Sequence, residues 1–391
     1  MSERNYYCSN KFKFIKIDLE RQLTYNCHAA MPHSVDFVWL SKNTGNIFNI
    51  PVNVEERQQM LLNQRNRSCE QNCWPAEDHG RSSTRIIELG VERTHSDTVT
   101  QPTIMDVTLD SDCNMQCVYC CKEFSSAWRR EIMHGDKYQF PIQEADLNNR
   151  YTVNNKDIVL SNLSQAEKQS SKRYQQLLAE VNSIIPGLET MYISGGEPLL
   201  STQLIDLLKK THGVPTVNLF TGLGVIPQRL NRMLDNIEYT NNLTFVISAE
   251  SIGSLYEFIR FGNSYKNLLA NLEILDKKNI RFKFHSTISN LTLPGFVEFY
   301  NQHWTDASEI DFSYTPRFFA PNILDPVSKD IIFEKLDTLA GKYIQQIKQS
   351  MVPDSTENER INLEYILKEL SARRQIKLDF YPKHFLNWIN L

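Results

Sequence analysis

Three cysteines, Cys113, Cys117 and Cys120, stand in the spacing C-x3-C-x2-C and form the densest group of soft ligands in the chain. Thiolates on so short a loop can converge on one inorganic centre. On a [4Fe-4S] cluster, three protein ligands leave one iron without a protein partner, and that open iron is the reactive one. The same spacing suits tetrahedral zinc with a fourth ligand elsewhere. Four more cysteines, Cys8, Cys27, Cys69 and Cys73, lie in the first hundred residues. Four thiols are the number that fills a complete [4Fe-4S] site, for electron transfer or structural support, and equally a four-cysteine zinc site. Cys121, beside Cys120, is left over as a buried spectator, an alternative ligand or a hydrogen-atom donor.

Further groups recur at the ends of short apolar runs. Gly195, Gly196, Glu197 and Pro198 follow the run MYIS. Glycines at a strand end let backbone approach a ligand, and a carboxylate accepts hydrogen bonds from an ammonium group. A tight turn before a helix explains the same residues. Ser248 and Glu250 follow LTFVI, where a hydroxyl and a carboxylate suit ribose. Arg260, one helix later, suits a carboxylate. The alternative for Glu250 and Arg260 is a surface or interhelix ion pair. His285, Thr287 and Asn290 are candidates to line an interior, although a histidine there is more often a packed core or rim residue.

The elements that must position these groups read as a βα alternation. Candidate strands are Thr103 to Leu109, Thr190 to Ser194, Thr216 to Thr221, Leu243 to Ser248, Arg281 to Ser286 and Ile310 to Thr315. Helical segments between them predict an α/β fold with a parallel sheet, and six such strands fit a partial barrel. The cysteine loop then lies at the C-terminal end of the first strand, where ligands collect in β/α barrels. Residues 10–27 read as a hairpin bracketed by Cys8 and Cys27, and 54–67 as a helix ending before Cys69. CEQNC puts Cys69 and Cys73 about one helical turn apart. The stretch from His79 to Gln101 is expected to be a connection. The insertion from Lys122 to Pro186 is expected to hold a polar lid or substrate-contacting loop, or an ordinary surface insertion, followed by an amphipathic helix over Leu163 to Ile185. The end, Asp325 to Leu391, reads as mainly helical.

A chain of 391 residues with 41% hydrophobic and 23% charged content supports one large core and a smaller domain. The expected division is an N-terminal cysteine-rich domain over 1–100, a core over 101–324 and a helical extension over 325–391. A net charge of −4 gives no global basic field for nucleic acid. No apolar run reaches the length of a membrane span, and the first residues lack a signal-peptide stretch, so a cytoplasmic location is expected. Cysteines in that compartment point to metal or redox chemistry rather than disulfides.

With these residues in view, the sequence resembles the radical S-adenosylmethionine (radical SAM) superfamily. Cys113, Cys117, Tyr119 and Cys120 match its CxxxCxxC motif with an aromatic residue before the last cysteine. The resemblance implies a TIM-like partial (β/α)6 barrel and a [4Fe-4S] cluster on Cys113, Cys117 and Cys120. It implies S-adenosylmethionine bound to the open iron, cleavage to a 5′-deoxyadenosyl radical, and Tyr119 near the adenine. Gly195, Gly196, Glu197 and Pro198 match the family's GGEP motif for the methionine amine. Ser248 and Glu250 match its ribose strand, and Arg260 would face a carboxylate. Thr221 and Gly222 are comparable to a threonine-asparagine-glycine ending, with the asparagine absent. Cys69 and Cys73, with Trp74, Glu77, Gly80, Ser83 and Arg85, resemble the C-x3-C-W…E…G…S-x-R pattern of twitch-domain proteins, an auxiliary-cluster module of the SPASM/twitch kind placed N-terminally. That likeness implies a second [4Fe-4S] cluster on Cys8, Cys27, Cys69 and Cys73, and a peptide or protein substrate. A nucleoside, nucleotide or small-metabolite substrate is the alternative, and an iron-sulfur electron carrier or zinc-stapled binding module is the non-enzymatic one. A reducing partner such as flavodoxin or ferredoxin is implied, with no membrane and no clear nucleic-acid partner.

Overall fold

Short β-branched runs separated by helix-forming segments give strands and helices in the expected alternation. The computed structural model describes residues 5–80, 83–88, 99–152, 154, 163–237, 242–352 and 357–391. Its strands are β1 (Phe14–Asp18), β2 (Leu23–Tyr25), β3 (His33–Ser34), β4 (Ile104–Thr108), β5 (Thr190–Ser194), β6 (Thr216–Thr221), β7 (Leu243–Ser248), β8 (Arg281–Ile288) and β9 (Glu309–Phe312). Strands β4 to β9 are the six expected ones, with at least one helix between each successive pair. The fold is α/β with mostly parallel strands, consistent with a radical SAM TIM-like partial barrel.

The chain divides into two compact units. The first contains Met1–Asp110, Leu163–Leu219 and Ile237–Leu243. In it β4 runs parallel to β5, and β5 to β6. The N-terminal hairpin forms as expected between β1 and β2, but it also enters the main sheet, because β1 pairs parallel to β4 from Phe14↔Ile104 to Asp18↔Thr108. Ile15 and Ile17, two positions apart and so on one face of β1, are fully buried, and Phe14 on the other face is buried too, as a sheet-interior strand requires. Residues Asn10–Lys13, expected to begin the hairpin, form a helical turn instead.

The expected helix over 163–185 is two helices, Gln165–Ser170 and Lys172–Ile184. Ser171 has extended ψ of 138° and its side chain caps the second helix by accepting from the Tyr174 N–H. Residues 153 and 155–162 of the expected polar loop, and 81–82 and 89–98 of the expected connection, lie outside the described residues.

The second unit contains Ser111–Asn162, Phe220–Asn236 and Thr244–Leu391. Strands β7, β8 and β9 are parallel neighbours in it, with Ser248 in register with His285. The C-terminal part is helical as expected, over Pro326–Asp337, Ile344–Ser350, Glu357–Arg374 and Lys383–Trp388. Asn290 is a structural tie: its amide donates to the Phe318 and Ile323 carbonyls at 2.8 and 3.0 Å. Among the described residues no helix is long and apolar enough to cross a membrane.

In the first unit a fully buried ammonium, Lys11, ties together the segments that carry four of the cysteines. It donates to Asn26 Oδ1 beside Cys27, to Ser68 Oγ beside Cys69 at 2.6 Å, and to Glu56 Oε2 at 2.7 Å. His33 Nε2 lies 3.2 Å from the other Glu56 oxygen. Burial alone would push the Glu56 carboxyl up, but the His33 hydrogen bond and the Lys11 charge outweigh it and hold it at about 2. A carboxylate depressed in the folded state stabilises the fold above its unfolded pKa and loses that contribution as pH falls. We expect Glu56→Gln to remove on the order of 2–3 kcal/mol of the stability that the metal-free chain loses between about pH 4.5 and 2. Urea denaturation at stepped pH checks this, and parallel profiles for the two chains would refute it.

Candidate active site

The loop bearing Cys113, Cys117 and Cys120 has little regular structure of its own, so its backbone groups must find partners elsewhere. Gln116 N–H donates to the Phe261 carbonyl at 2.7 Å and Val118 N–H to the Ile259 carbonyl at 3.0 Å. Gly262 makes this approach possible. Its φ is +102°, and a Cβ there would overlap the Asn114 carbonyl oxygen. From the other side, Cys113 N–H donates to Ser126 Oγ at 3.1 Å, and Trp128 Nε1 donates to the Cys117 carbonyl at 2.8 Å. Cys113, Met115 and Cys117 are buried as one cluster, with Tyr119 and Cys120 packed on it.

Arg260 closes the helix Gly253–Ile259 and turns its guanidinium toward this cluster. Its Nε and Nη2 donate to Glu250 Oε1 and Oε2 at 3.1 and 2.7 Å, a two-pronged pair. Its Nη1 stands 3.7 Å from Cys117 Sγ, and its carbon lies 5.2 Å from the Tyr119 ring centre. Glu250 is fully buried, so the pair is an interior one and not the surface pair weighed from sequence. Burial pushes the Cys117 thiol up, and Arg260 pulls it back toward the thiolate. Burial also raises Cys120 and Tyr119, whose hydroxyl has no hydrogen-bond partner. His285, beside the Ser248 position, is lowered by burial and so favours the neutral imidazole.

In the first unit, Gly195 to Pro198 turn sharply after β5. Gly196 N–H donates to the Asp110 carbonyl at 2.8 Å, and a Cβ on Gly195 would sit 2.9 Å from that same oxygen. Glu197 is fully buried, and Oε1 accepts from Leu199 N–H at 3.1 Å, capping the 3-10 turn Pro198–Leu200. Structure thus brings Cys113, Cys117, Cys120, Tyr119, Glu250 and Arg260 together in one unit, while Gly195, Gly196, Glu197 and Pro198 form a turn in the other.

Three of the four N-terminal cysteines share one buried cluster. Cys8, Cys69 and Cys73 are buried in one cluster with Trp74, and Asn10 Nδ2 lies 3.9 Å from Cys27 Sγ. Burial first, then the nearby Cys27, pushes the Cys8 thiol up to about 12, and a hydrogen bond from Cys69 holds Cys73 down at about 6. The residues after Cys73 build a clasp. Arg85 pairs with Glu77 at 2.5 Å, stacks 5.0 Å from the Trp74 ring, and donates to the Asn5 and Tyr7 carbonyls just before Cys8. Ser83 Oγ donates to Glu77 at 2.6 Å.

Residues 110–300 match the family model described as Radical SAM superfamily. That span is similar to radical SAM domains. No curated protein is matched by this chain. Among solved structures, SuiB of Streptococcus suis bound to its precursor peptide SuiA is similar at 11% identity over 98% of this chain and 74% of that one, with a TM-score of 0.34. SuiB bound to S-adenosylmethionine is 12% identical over 89% and 71%, with a TM-score of 0.35. Native anSMEcpe with bound AdoMet is 14% identical over 54% of this chain, with a TM-score of 0.30, and this chain spans 50% of that protein's length.

A radical SAM domain implies an S-adenosylmethionine-binding [4Fe-4S] cluster. Residues of the loop fit one: three thiols share a single apolar cluster, and a cationic guanidinium faces them. Among the described residues, no three or more His, Cys, Asp or Glu stand ready-made as a metal cage. Sequence reading missed Gly262 and Trp128. Gly262 carried a signal, the pair Phe261-Gly262 directly after Arg260; Trp128 carried none.

Removing one partner of a buried ion pair leaves the other charged and unpaired. Arg260→Met should therefore cost about 3–5 kcal/mol in urea denaturation, and the double change Arg260→Met with Glu250→Leu should recover most of it. A double variant as unstable as the single one would mean that the pair is not what Glu250 requires.

Proposed function

We propose that this protein is a radical SAM enzyme that modifies a peptide or protein, with the open-iron cluster on Cys113, Cys117 and Cys120 and a second cluster on Cys8, Cys27, Cys69 and Cys73. The observation that carries the reading is the burial of Cys113 and Cys117 in one cluster, with Tyr119 packed on it and Arg260 facing Cys117 and Tyr119, within the span matched by the radical SAM family. When bound, the cluster supplies one electron that cleaves S-adenosylmethionine to the 5′-deoxyadenosyl radical.

The chain's own residues hold and orient. Cys113, Cys117 and Cys120 present their sulfurs from a loop pinned at Gln116 and Val118. Arg260 offsets the negative charge that three thiolates bring into an apolar site. Tyr119, with its hydroxyl unpartnered, offers a ring face and one donor to the adenine. Gly195 and Gly196 give close backbone approach, and Glu197 and Pro198 set the turn for the methionine amine. Ser248 is the ribose contact at the end of β7. Glu250 acts through Arg260, since both its oxygens are taken.

Support for the second cluster is the burial of Cys8, Cys69 and Cys73 together beside the Trp74, Glu77 and Arg85 clasp. The resemblance of that segment to auxiliary-cluster modules favours a peptide or protein substrate, and a flavodoxin or ferredoxin is the matching class of electron donor. SuiB and anSMEcpe have been seen with peptides, which agrees with that class.

Anaerobic reconstitution followed by reductant and S-adenosylmethionine should release 5′-deoxyadenosine. Its absence from a protein with reduced, intact cluster would sink the enzyme reading. Changing Cys113, Cys117 and Cys120 together to alanine should abolish the release and leave about four irons per chain. Iron near zero in that variant would mean the N-terminal quartet holds no independent cluster.

A further inference from the structure

Two arginines from distant segments donate to carbonyls of the loop that carries the three cysteines. Arg374, the last residue of the helix Glu357–Arg374, is buried and donates from Nη2 to the Gln116 carbonyl at 2.7 Å and from Nη1 to the Phe258 carbonyl at 2.6 Å. Its guanidinium lies among the rings of Phe261, Phe258 and Trp128, at 4.9, 5.4 and 5.7 Å. Arg150, on the helix Ala145–Tyr151, donates from Nη1 to the carbonyls of Tyr119 and Cys120, both at 3.0 Å, and from Nη2 to the Thr315 carbonyl at 3.0 Å.

We infer that Arg374 and Arg150 are positioning residues for the cysteine loop, so that the C-terminal helix beyond the family match and the insertion helix together set where the sulfurs stand. Three considerations carry this. A guanidinium offers five donors in a rigid fork and can fix two carbonyls at once, which a lysine cannot reproduce. Hydrogen bonds from a charged donor are stronger than neutral ones, and the Arg374 pair is shielded from water. The carbonyls held are those of Gln116, Tyr119 and Cys120, each within one residue of a sulfur ligand or itself one. Trp128 adds a third outward tie, on the Cys117 carbonyl. The loop's N–H groups are taken as well, those of Gln116 and Val118 by the Phe261 and Ile259 carbonyls and that of Cys113 by Ser126 Oγ, so its backbone is fixed through donors and acceptors alike. Both arginines hold backbone rather than any reacting atom. Their effect on the cluster therefore rests on the reading of Cys113, Cys117 and Cys120 as its ligands, while their effect on the loop does not.

Hydrogen exchange by mass spectrometry on the full-length, metal-free chain separates the two. In Arg374→Met, amides across 113–121 should exchange on the order of tenfold faster, with those of β8 within about twofold of the parent. Arg374→Lys, which keeps the charge but reaches one carbonyl, should fall between them. Unchanged exchange in the loop would overturn the proposal. So would equal acceleration in β8, which would make Arg374 a general support of the unit. If Arg374→Met does not fold, Arg150→Met, on the less buried side of the loop, carries the same comparison with the same two overturning results. In the reconstituted protein, the positioned loop predicts faster loss of iron to a chelator in Arg374→Met than in Arg374→Lys. Equal rates in the two would likewise overturn it. Failure of the cysteine-to-alanine iron test would leave the exchange result standing, so the two readings fail separately.

Discussion

The buried pair between Arg260 and Glu250 is the interaction on which the candidate site depends. A carboxylate in a fully buried position has no water to solvate it, so it survives only with a cation held in two-pronged contact. That requirement fixes the guanidinium, and the third nitrogen is thereby aimed at Cys117 while the plane lies over Tyr119. Without the pair, three thiols in an apolar cluster would resist ionisation, as the upward shift of Cys117 and Cys120 by burial makes plain. One ion pair therefore links the end of β7, the end of the next helix and the cysteine loop.

Strand positions were readable because hydrophobic period and β-branched content act locally. Thr190–Ser194, Thr216–Thr221 and Leu243–Ser248 coincide with the expected runs. The cysteine motif was readable for the same reason, since its chemistry is written in consecutive residues. The break at Ser171 was hidden, because serine is tolerated inside a helix and acts as a cap only once the chain turns. Lys11, Arg150 and Arg374 were hidden more deeply. Each looks like an ordinary surface cation in sequence, and each finds its partners across tens to hundreds of positions. Glu250 shows the intermediate case: its place at a strand end was readable, whereas its commitment to Arg260 needed the helix geometry.

Arginine recurs at several of the cysteine-bearing segments. Arg85 reaches the backbone before Cys8, Arg374 and Arg150 reach the loop of Cys113 to Cys120, and Arg260 reaches a sulfur directly. Cysteine side chains are short and make weak hydrogen bonds, so they cannot orient themselves. A planar fork on neighbouring carbonyls does it for them, and it adds positive charge where thiolates will form.

The Lys11 knot carries a consequence for the length of the chain around it. A buried ammonium joins the segments next to Cys27 and Cys69 and the helix bearing Glu56. One ammonium thus closes three stretches of chain at once, its partners lying 15, 45 and 57 positions away. Insertions or deletions between Lys11 and Ser68 would therefore be felt at one buried point, so this stretch is expected to tolerate changes of residue better than changes of length.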